Sequence, residues 1–419
     1  MTWGALRLKR LFASATGGSW GCEPGEGDVV LPCVRGTDFD YGRLRVDLSR
    51  APMRGFTLTD VAYRSATSGD LIIEKSGGGE QQPVGRVVRY DGADPVMPTN
   101  FAGRLRPGNR TESRFASYLL ASLYTDGRTR AAIKQTTGIQ NLDVDSLLNN
   151  MVVVPSKPEQ SAIADFLDRE TARIDALIDA KRRVVELLHE RLKLTIIEAT
   201  RRGLDPTVQT KESGLSWVGQ IPDHWRIVPN RAVLELRRSI VGSSSSAFTL
   251  LSLTRRGVII RDISDNYGKF PASFDGYQEA IPGDLIFCLF DIPETPRTVG
   301  QAKLRGMVTG AYTVFRARQL ALPSFLEYLY QGYDDEKSLS LFYTGLRKVI
   351  RTDTFMGIRC PLPPRAEQEA IVKHLDLLKA STDSLATTLS RQIDLLVEHR
   401  QALITAAVTG GLEIPRVAA

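Results

Sequence analysis

The stretch Pro155-Ser156-Lys157-Pro158-Glu159-Gln160 opens an apolar-periodic segment that runs to Gly203-Leu204. A second stretch, Pro363-Pro364-Arg365-Ala366-Glu367-Gln368, opens another that runs to Gly411-Leu412. The offset is 208 positions both from Glu159 to Glu367 and from Gly203 to Gly411, so the copies keep register without a gap. Gln160/Gln368, Ile163/Ile371, Leu167/Leu375, Leu177/Leu385 and Leu188/Leu396 coincide as well. The chain is an internal duplication.

Each copy reads as a long helix. Ile371, Leu375, Leu378, Thr382, Leu385, Leu389, Gln392 and Leu396 are spaced alternately by four and three, and Ile163, Leu167, Glu170, Ile174, Leu177, Lys181, Val184 and Leu188 repeat the ladder. A sustained four-three repeat keeps one seam toward a partner helix, which is the coiled-coil pattern. Ser156-x-x-Glu159 reads as a capping box, Pro158 suits a first turn, and Gly203 and Gly410-Gly411 are natural stops. A helix of about 45 residues is roughly 65 Å long. One such stripe alone reads as an ordinary bundle core; two of them, separated by a domain's worth of chain, read as a pair. Antiparallel packing is the simpler topology, because parallel packing makes the intervening block double back the whole rod.

Composition narrows the class. The 419 residues hold 42% hydrophobic and 24% charged side chains, ordinary for a soluble protein of two or three domains. Met1-Thr2-Trp3-Gly4-Ala5-Leu6-Arg7 lacks a signal-peptide apolar run, and no stretch approaches the roughly 18 apolar residues of a membrane span. Cys22, Cys33, Cys288 and Cys360 fall at no metal-ligand or disulfide spacing, so a reducing cytoplasm is expected. A net charge of +6 leans mildly toward polyanions.

The helices partition the chain into blocks 1–154 and 205–362 and spacers 155–204 and 363–419. The first block has short β-type runs such as Val29-Val30-Leu31 and Leu71-Ile72-Ile73; the second has Phe248 to Leu253, Gly257 to Ile260, Leu285 to Phe290 and Tyr312 to Arg316. The blocks share little sequence but share punctuation. Gly69-Asp70-Leu71-Ile72 matches Gly283-Asp284-Leu285-Ile286, Phe115 with Tyr118-Leu119 matches Phe325 with Tyr328-Leu329, and Thr136-Thr137-Gly138 matches Tyr343-Thr344-Gly345. The expected fold is α+β: two α/β domains at opposite ends of an antiparallel two-helix coiled-coil spacer, a pseudo-twofold duplication with unlike ends. Duplex DNA has a dyad of its own, and a rigid spacer holding two readers specifies a split target.

These residues together resemble the DNA-specificity subunits of type I restriction-modification enzymes. The resemblance covers nearly the whole chain. It is carried by the paired Pro-x-x-x-Glu-Gln-x-x-Ile starts at Pro155 and Pro363, by Ile404-Thr405-Ala406-Ala407-Val408-Thr409-Gly410, by Trp217-Val218-Gly219-Gln220-Ile221-Pro222-Asp223-His224-Trp225, and by the duplicated Gly-Asp-strand element. It implies two target-recognition domains, each reading half of an asymmetric bipartite site in double-stranded DNA. It also implies no chemistry and no cofactor in the chain itself. The implied partners are two modification subunits that methylate adenine with S-adenosylmethionine, and restriction subunits that use ATP. Trp3 begins the protein with almost none of the segment found before Trp225, so the C-terminal tail is expected to help complete the first half.

Catalytic signatures are missing where they would be needed. A methyltransferase requires a Gly-rich cofactor loop and an Asn/Asp-Pro-Pro-aromatic motif for a flipped adenine, and neither occurs. Gly77-Gly78-Gly79 lacks phosphate-loop spacing and reads as a plain turn, or as an approach to DNA phosphate. His189, His224, His374 and His399 are scattered, which favours packed or solvated roles over metal ligation. Glu159-Gln160 and Glu367-Gln368 lie in first helical turns, where dipole compensation and packing outweigh acid-base work.

The expected DNA contacts are cations flanking the strands. In the first block these are Arg64, Lys75, Arg86, Arg104 and Arg106; in the second, Arg255, Arg256, Arg261, Lys269, Arg297 and Arg305. Arg347 and Lys348 near the second junction, with Arg128, Arg130 and Lys134 near the first, are the next choice. Arginine reads guanine bidentately and either cation holds phosphate. The competing reading is a non-catalytic coiled-coil scaffold whose end domains bind proteins.

Overall fold

The paired ladders form two helices, Lys157–Arg202 and Arg365–Thr409. The computed structural model describes residues 3–136, 138–262, 271, 273–343 and 348–414. It divides into one unit of Met1–Arg183 with Leu389–Ala419 and another of Val184–Thr388, both boundaries falling inside the long helices.

In the first unit a six-stranded sheet runs in the order Phe12–Gly17, Ala102–Pro107, Leu71–Glu74, Val87–Arg89, Arg45–Val46, Phe39–Asp40. The helix Ser113–Thr125 buries Phe115, Leu119 and Leu123 in the same core as Leu71 and Ile73. The start of one long helix (Ile163, Ala164, Leu167) and the close of the other (Ile404, Ala407, Val408) complete that core. The two helices are antiparallel there, since Arg400 reaches Asp175 while Gln392 lies at Lys181.

In the second unit four antiparallel strands run in the order Leu234–Arg237, Thr313–Ala317, Leu285–Phe287, Val299–Gln301. Its core gathers Trp225, Phe287, Phe315, Tyr330 and Phe355 with Ile196 and Ala199 from the end of the first long helix and Ile371 and Leu375 from the start of the second. A short antiparallel pair feeds the long helix in each unit: Gly4–Arg7 with Met151–Val154, and Arg226–Pro229 with Arg359–Leu362.

Burial along the helices shifts alternate rungs of the expected ladder by one residue. Buried or half-buried positions along the stripe include Ile163, Leu167, Thr171, Ile174, Ile178, Lys181, Val185, Leu188, Leu192, Ile196 and Ala199, and in the second copy Ile371, Leu375, Leu378, Thr382, Ala386, Leu389, Ile393, Leu396, Arg400, Ile404 and Ala407. From Leu167 to Leu192 and from Thr382 to Arg400 the gaps still alternate four and three, so the stripe keeps a heptad spacing but takes Thr171, Ile178 and Val185 where the ladder has Glu170, Leu177 and Val184, and Ala386, Ile393 and Arg400 where it has Leu385, Gln392 and His399. Leu177 and Leu385, which the ladder puts on the seam, are therefore 52% and 44% exposed, and Ile178 and Ala386 face inward instead. The second helix is also one residue shorter, 45 against 46, because Gly410 and not Gly411 takes the left-handed stop that Gly203 takes.

Candidate nucleic-acid interface

The surface that each unit presents depends first on how its long helix is fastened. Gln160 is buried, accepts from Glu112 N at 2.9 Å, and donates to Pro155 O at 3.0 Å and Arg110 O at 3.3 Å. Gln368 does the same with Leu322 N at 2.8 Å, Pro363 O at 2.9 Å and Leu320 O at 3.0 Å. Only a side chain that both donates and accepts closes all of these backbone groups. Tyr118 donates to Asp168 at 2.7 Å, and Tyr328 donates to Asp376 at the same distance. Burial pushes both tyrosines above their ordinary range, Tyr118 to about 12.

The glutamates beside the glutamines differ. Glu159 accepts from Ser156 N at 3.0 Å and Ser156 Oγ at 2.7 Å, closing the expected capping turn. Glu367 takes Trp225 Nε1 at 2.9 Å and contacts His224 Nε2 at 2.6 Å. The stops mirror one another too: a Cβ on Gly203 would lie 3.3 Å from the Trp225 ring, and one on Gly410 would lie 3.4 Å from the Trp3 ring. Leu412 and Ile414 pack on the first core with Trp3, so the tail joins the first unit; Ala419 and Met1 lie outside the described residues.

The duplicated Gly-Asp element forms the same turn twice. Gly69 and Gly283 have φ of +89° and +94°, and the following aspartate caps the turn, Asp70 from Thr67 N at 2.9 Å and Asp284 from Ile281 N at 3.0 Å. Each is buried against a sheet arginine, Arg106 at 2.7 Å and Arg237 at 2.8 Å. Burial pushes Asp284 up, opposed by the Ile281 amide and Arg237. Glu279, half-buried and held by Arg305, Ser239 and Arg237, sits below its usual range.

The candidate cations of the first unit occupy different settings. Arg104 is only 4% exposed and donates to Ser65 O at 2.7 Å and Ser14 Oγ at 3.3 Å, so it ties strands together and does not reach solvent. Burial lowers its pKa. Arg106 is held by Asp70, and Arg86 stacks 4.3 Å from the Tyr41 ring centroid and donates to Tyr124 Oη at 3.2 Å. Arg64 pairs with Asp60 at 3.0 Å and donates to Gly17 O at 3.0 Å. Lys75 lies over Gly17 and Gly103, with Arg64 at the edge of the same patch, and its ammonium has no partner among the described residues.

Beside this patch lies an open groove of about 1300 Å³, lined by Trp20, Arg35, Tyr41, Phe101 and the loop of Gly77, Gly78 and Gly79. Gly77 and Gly78 have φ of +125° and +36°, and Gly79 N donates to Gln82 O at 2.9 Å, so the triplet is a turn at the groove's rim. Trp20 and Phe101 are 41% and 54% exposed. Neither aromatic stood out in the sequence, because an isolated aromatic between strands reads as core.

In the second unit Arg297 is held by Asp334 at 3.3 Å and Asp335 at 3.1 Å, Arg305 by Glu279 at 2.8 Å with its guanidinium 5.2 Å from the Phe248 ring, and Lys348 by Glu294. Arg255 and Arg256 form the exposed tip of the hairpin Leu251–Thr254/Gly257–Ile260, and Arg261 is exposed just after it. Lys269 and Arg347 lie outside the described residues, as do Thr137, Thr344 and Gly345. No described helix is long and apolar enough to cross a membrane.

No protein-family model matches the chain. It is 24% identical over 319 residues to the type I restriction enzyme MjaVIII specificity subunit of Methanocaldococcus jannaschii, which spans 71% of this chain and 70% of that relative. It is 20% identical over 360 residues to the putative type I restriction enzyme MjaX specificity subunit of the same organism, spanning 85% and 81%. A chain solved in work on complex assembly and conformational transition of the type I R-M system shares its fold, with a TM-score of 0.63 at 17% identity over 98% of each chain.

Proposed function

We propose that this chain, a relative of the type I restriction-enzyme specificity subunits and like them non-catalytic, recognises an asymmetric, bipartite site in double-stranded DNA and places adenine-methylating modification subunits on it. Residues 1–154 and 205–362 are the two target-recognition domains in this reading, and the helices beginning at Lys157 and Arg365 are the spacer between them. The observation that carries it is the duplicated fastening: the same glutamine and tyrosine bonds hold each of two unlike heads to a long helix. Identical fastenings with different outer surfaces suit two readers that share geometry but not sequence preference.

Exposed apolar side chains on the long helices, Leu177 and Leu395 in the first unit and Leu187, Leu194, Leu377 and Leu385 in the second, are the ones that modification subunits would cover in this reading. Restriction subunits join the same assembly. DNA contact falls to the exposed Arg64 and the half-buried Lys75 in one head and to the exposed Arg255, Arg256 and Arg261 in the other; Arg305 and Lys348 join after releasing their carboxylates.

The test is methyladenine mapping in cells that carry this chain with its modification subunits. A split motif is expected, and exchanging residues 1–154 for another recognition domain should alter one half of it. Inserting four residues in both helices should widen the gap by about 6 Å, near two base pairs. Methylation with no split motif, or a stable complex indifferent to DNA, overturns the reading in favour of a protein-binding scaffold.

A further inference from the structure

Among the cations of the second unit, two adjacent ones sit at a single hairpin tip. Arg237, Arg297, Arg305 and Lys348 are all held by carboxylates. Arg255 and Arg256 are exposed and have no side-chain partner among the described residues. Two neighbouring exposed guanidinium groups at one point raise the local positive potential, which draws an outside anion.

The hairpin that carries them is rigidly seated. Its rungs are Leu251 with Ile260, Ser252 with Ile259, Leu253 with Val258 and Thr254 with Gly257, leaving a tip of two residues. Gly257 takes φ of +95°, Arg256 N donates to Thr254 Oγ1 at 3.1 Å, and that hydroxyl donates to Gly257 O at 3.0 Å. Leu253 and Val258 press on Gly300, where a Cβ would come within 2.7 and 2.9 Å of them, so the ribbon sits directly on the strand Val299–Gln301. The other face shows Ser252, Thr254 and the exposed Ile259. Four rungs at about 3.3 Å each extend roughly 13 Å, and a two-stranded ribbon fits a major groove about 12 Å wide and 8.5 Å deep.

We infer that the Leu251–Ile260 hairpin enters the major groove of duplex DNA and that Arg255 and Arg256 read guanine in the half-site of the second unit. This rests on the DNA-reading function proposed above. The seat on Gly300 fixes where the tip points, and the planar guanidinium supplies the paired donors that guanine O6 and N7 accept.

Methyladenine mapping of the complete chain with its modification subunits tests it, using Arg255→Ala, Arg256→Ala and the corresponding lysine variants. Each alanine variant should lose discrimination at a guanine of one half-site by roughly 5- to 150-fold and leave the other half unchanged, which also reports an intact complex. Lysine should restore overall methylation without restoring the guanine preference. An unchanged motif, a uniform loss of methylation that lysine fully repairs, or an alanine variant silent at every site whose lysine partner is also silent overturns the assignment while the wild-type split motif stands. A wild-type chain that yields no split motif overturns the DNA reading itself, and this inference with it.

Discussion

Arg400 and Asp175, 225 positions apart, form an ion pair of 3.0 Å with side chains 10% and 21% exposed. The pair joins the two long helices within the first unit and sets their antiparallel register, since sliding either helix by one turn separates the charges by about 5.4 Å. Breaking it strands a mostly buried charge. Arg400→Leu should destabilise the protein by about 2–3 kcal/mol, and the double variant with Asp175→Leu should be less harmful than the sum of the singles. Urea unfolding of the four proteins checks this; strict additivity would show that the pair does not set the register.

The buried glutamines make a second prediction. Gln160→Leu removes the partners of Glu112 N, Pro155 O and Arg110 O at once and should destabilise by about 3 kcal/mol. Gln160→Glu should fare little better, because a carboxylate cannot donate to the two carbonyls. Hydrogen exchange should show the loss at Glu112 while the Leu322 amide stays protected, and Gln368→Leu should give the reverse.

The helix stops separate the structure from the simple sequence offset. Gly203→Ala and Gly410→Ala both force a side chain into left-handed backbone against a tryptophan, so each should lower stability by about 1 kcal/mol or more. Gly411, the position the offset selects, lacks the positive φ and its Cβ would meet only ordinary contacts of 3.5 Å or more. Gly411→Ala should be close to neutral in thermal melts; equal losses at 410 and 411 would contradict the early stop.

Acid should loosen the second unit through Glu279. Its carboxyl is held below the ordinary value of 4.5, first by Arg305 and then by Ser239 and Arg237. A depressed carboxyl contributes stability that is fully present above its unfolded pKa and is lost as the pH falls through the lower folded value. The melting temperature should therefore fall below about pH 4.5 more steeply in the wild type than in Glu279→Gln. Parallel curves for the two proteins would remove Glu279 from the account.

Thr171, Ile178, Ala386 and Arg400 show where reading the chain alone stops. A four-three count leaves open which of two neighbouring residues fills every second rung, Leu177 or Ile178, Leu385 or Ala386, and packing against distant parts of the chain makes that choice. Charge is subject to the same limit: Arg104 and Arg255 are both arginines beside strands, yet one is buried against Ser65 O and the other stands at an exposed tip. Burial and pairing are properties of neighbours distant in the chain, and local composition carries no record of them.

By itself, the order of residues determined the duplication, the two long helices with their proline starts and glycine stops, and the shared Gly-Asp and Tyr punctuation, because helix periodicity and turn chemistry act over a few neighbouring positions. Only the tertiary structure decided which helix face is buried, which aspartate holds which arginine, and that Trp3 meets Gly410 as Trp225 meets Gly203. Those outcomes are set by contacts between segments hundreds of residues apart, where shape and charge must match in space.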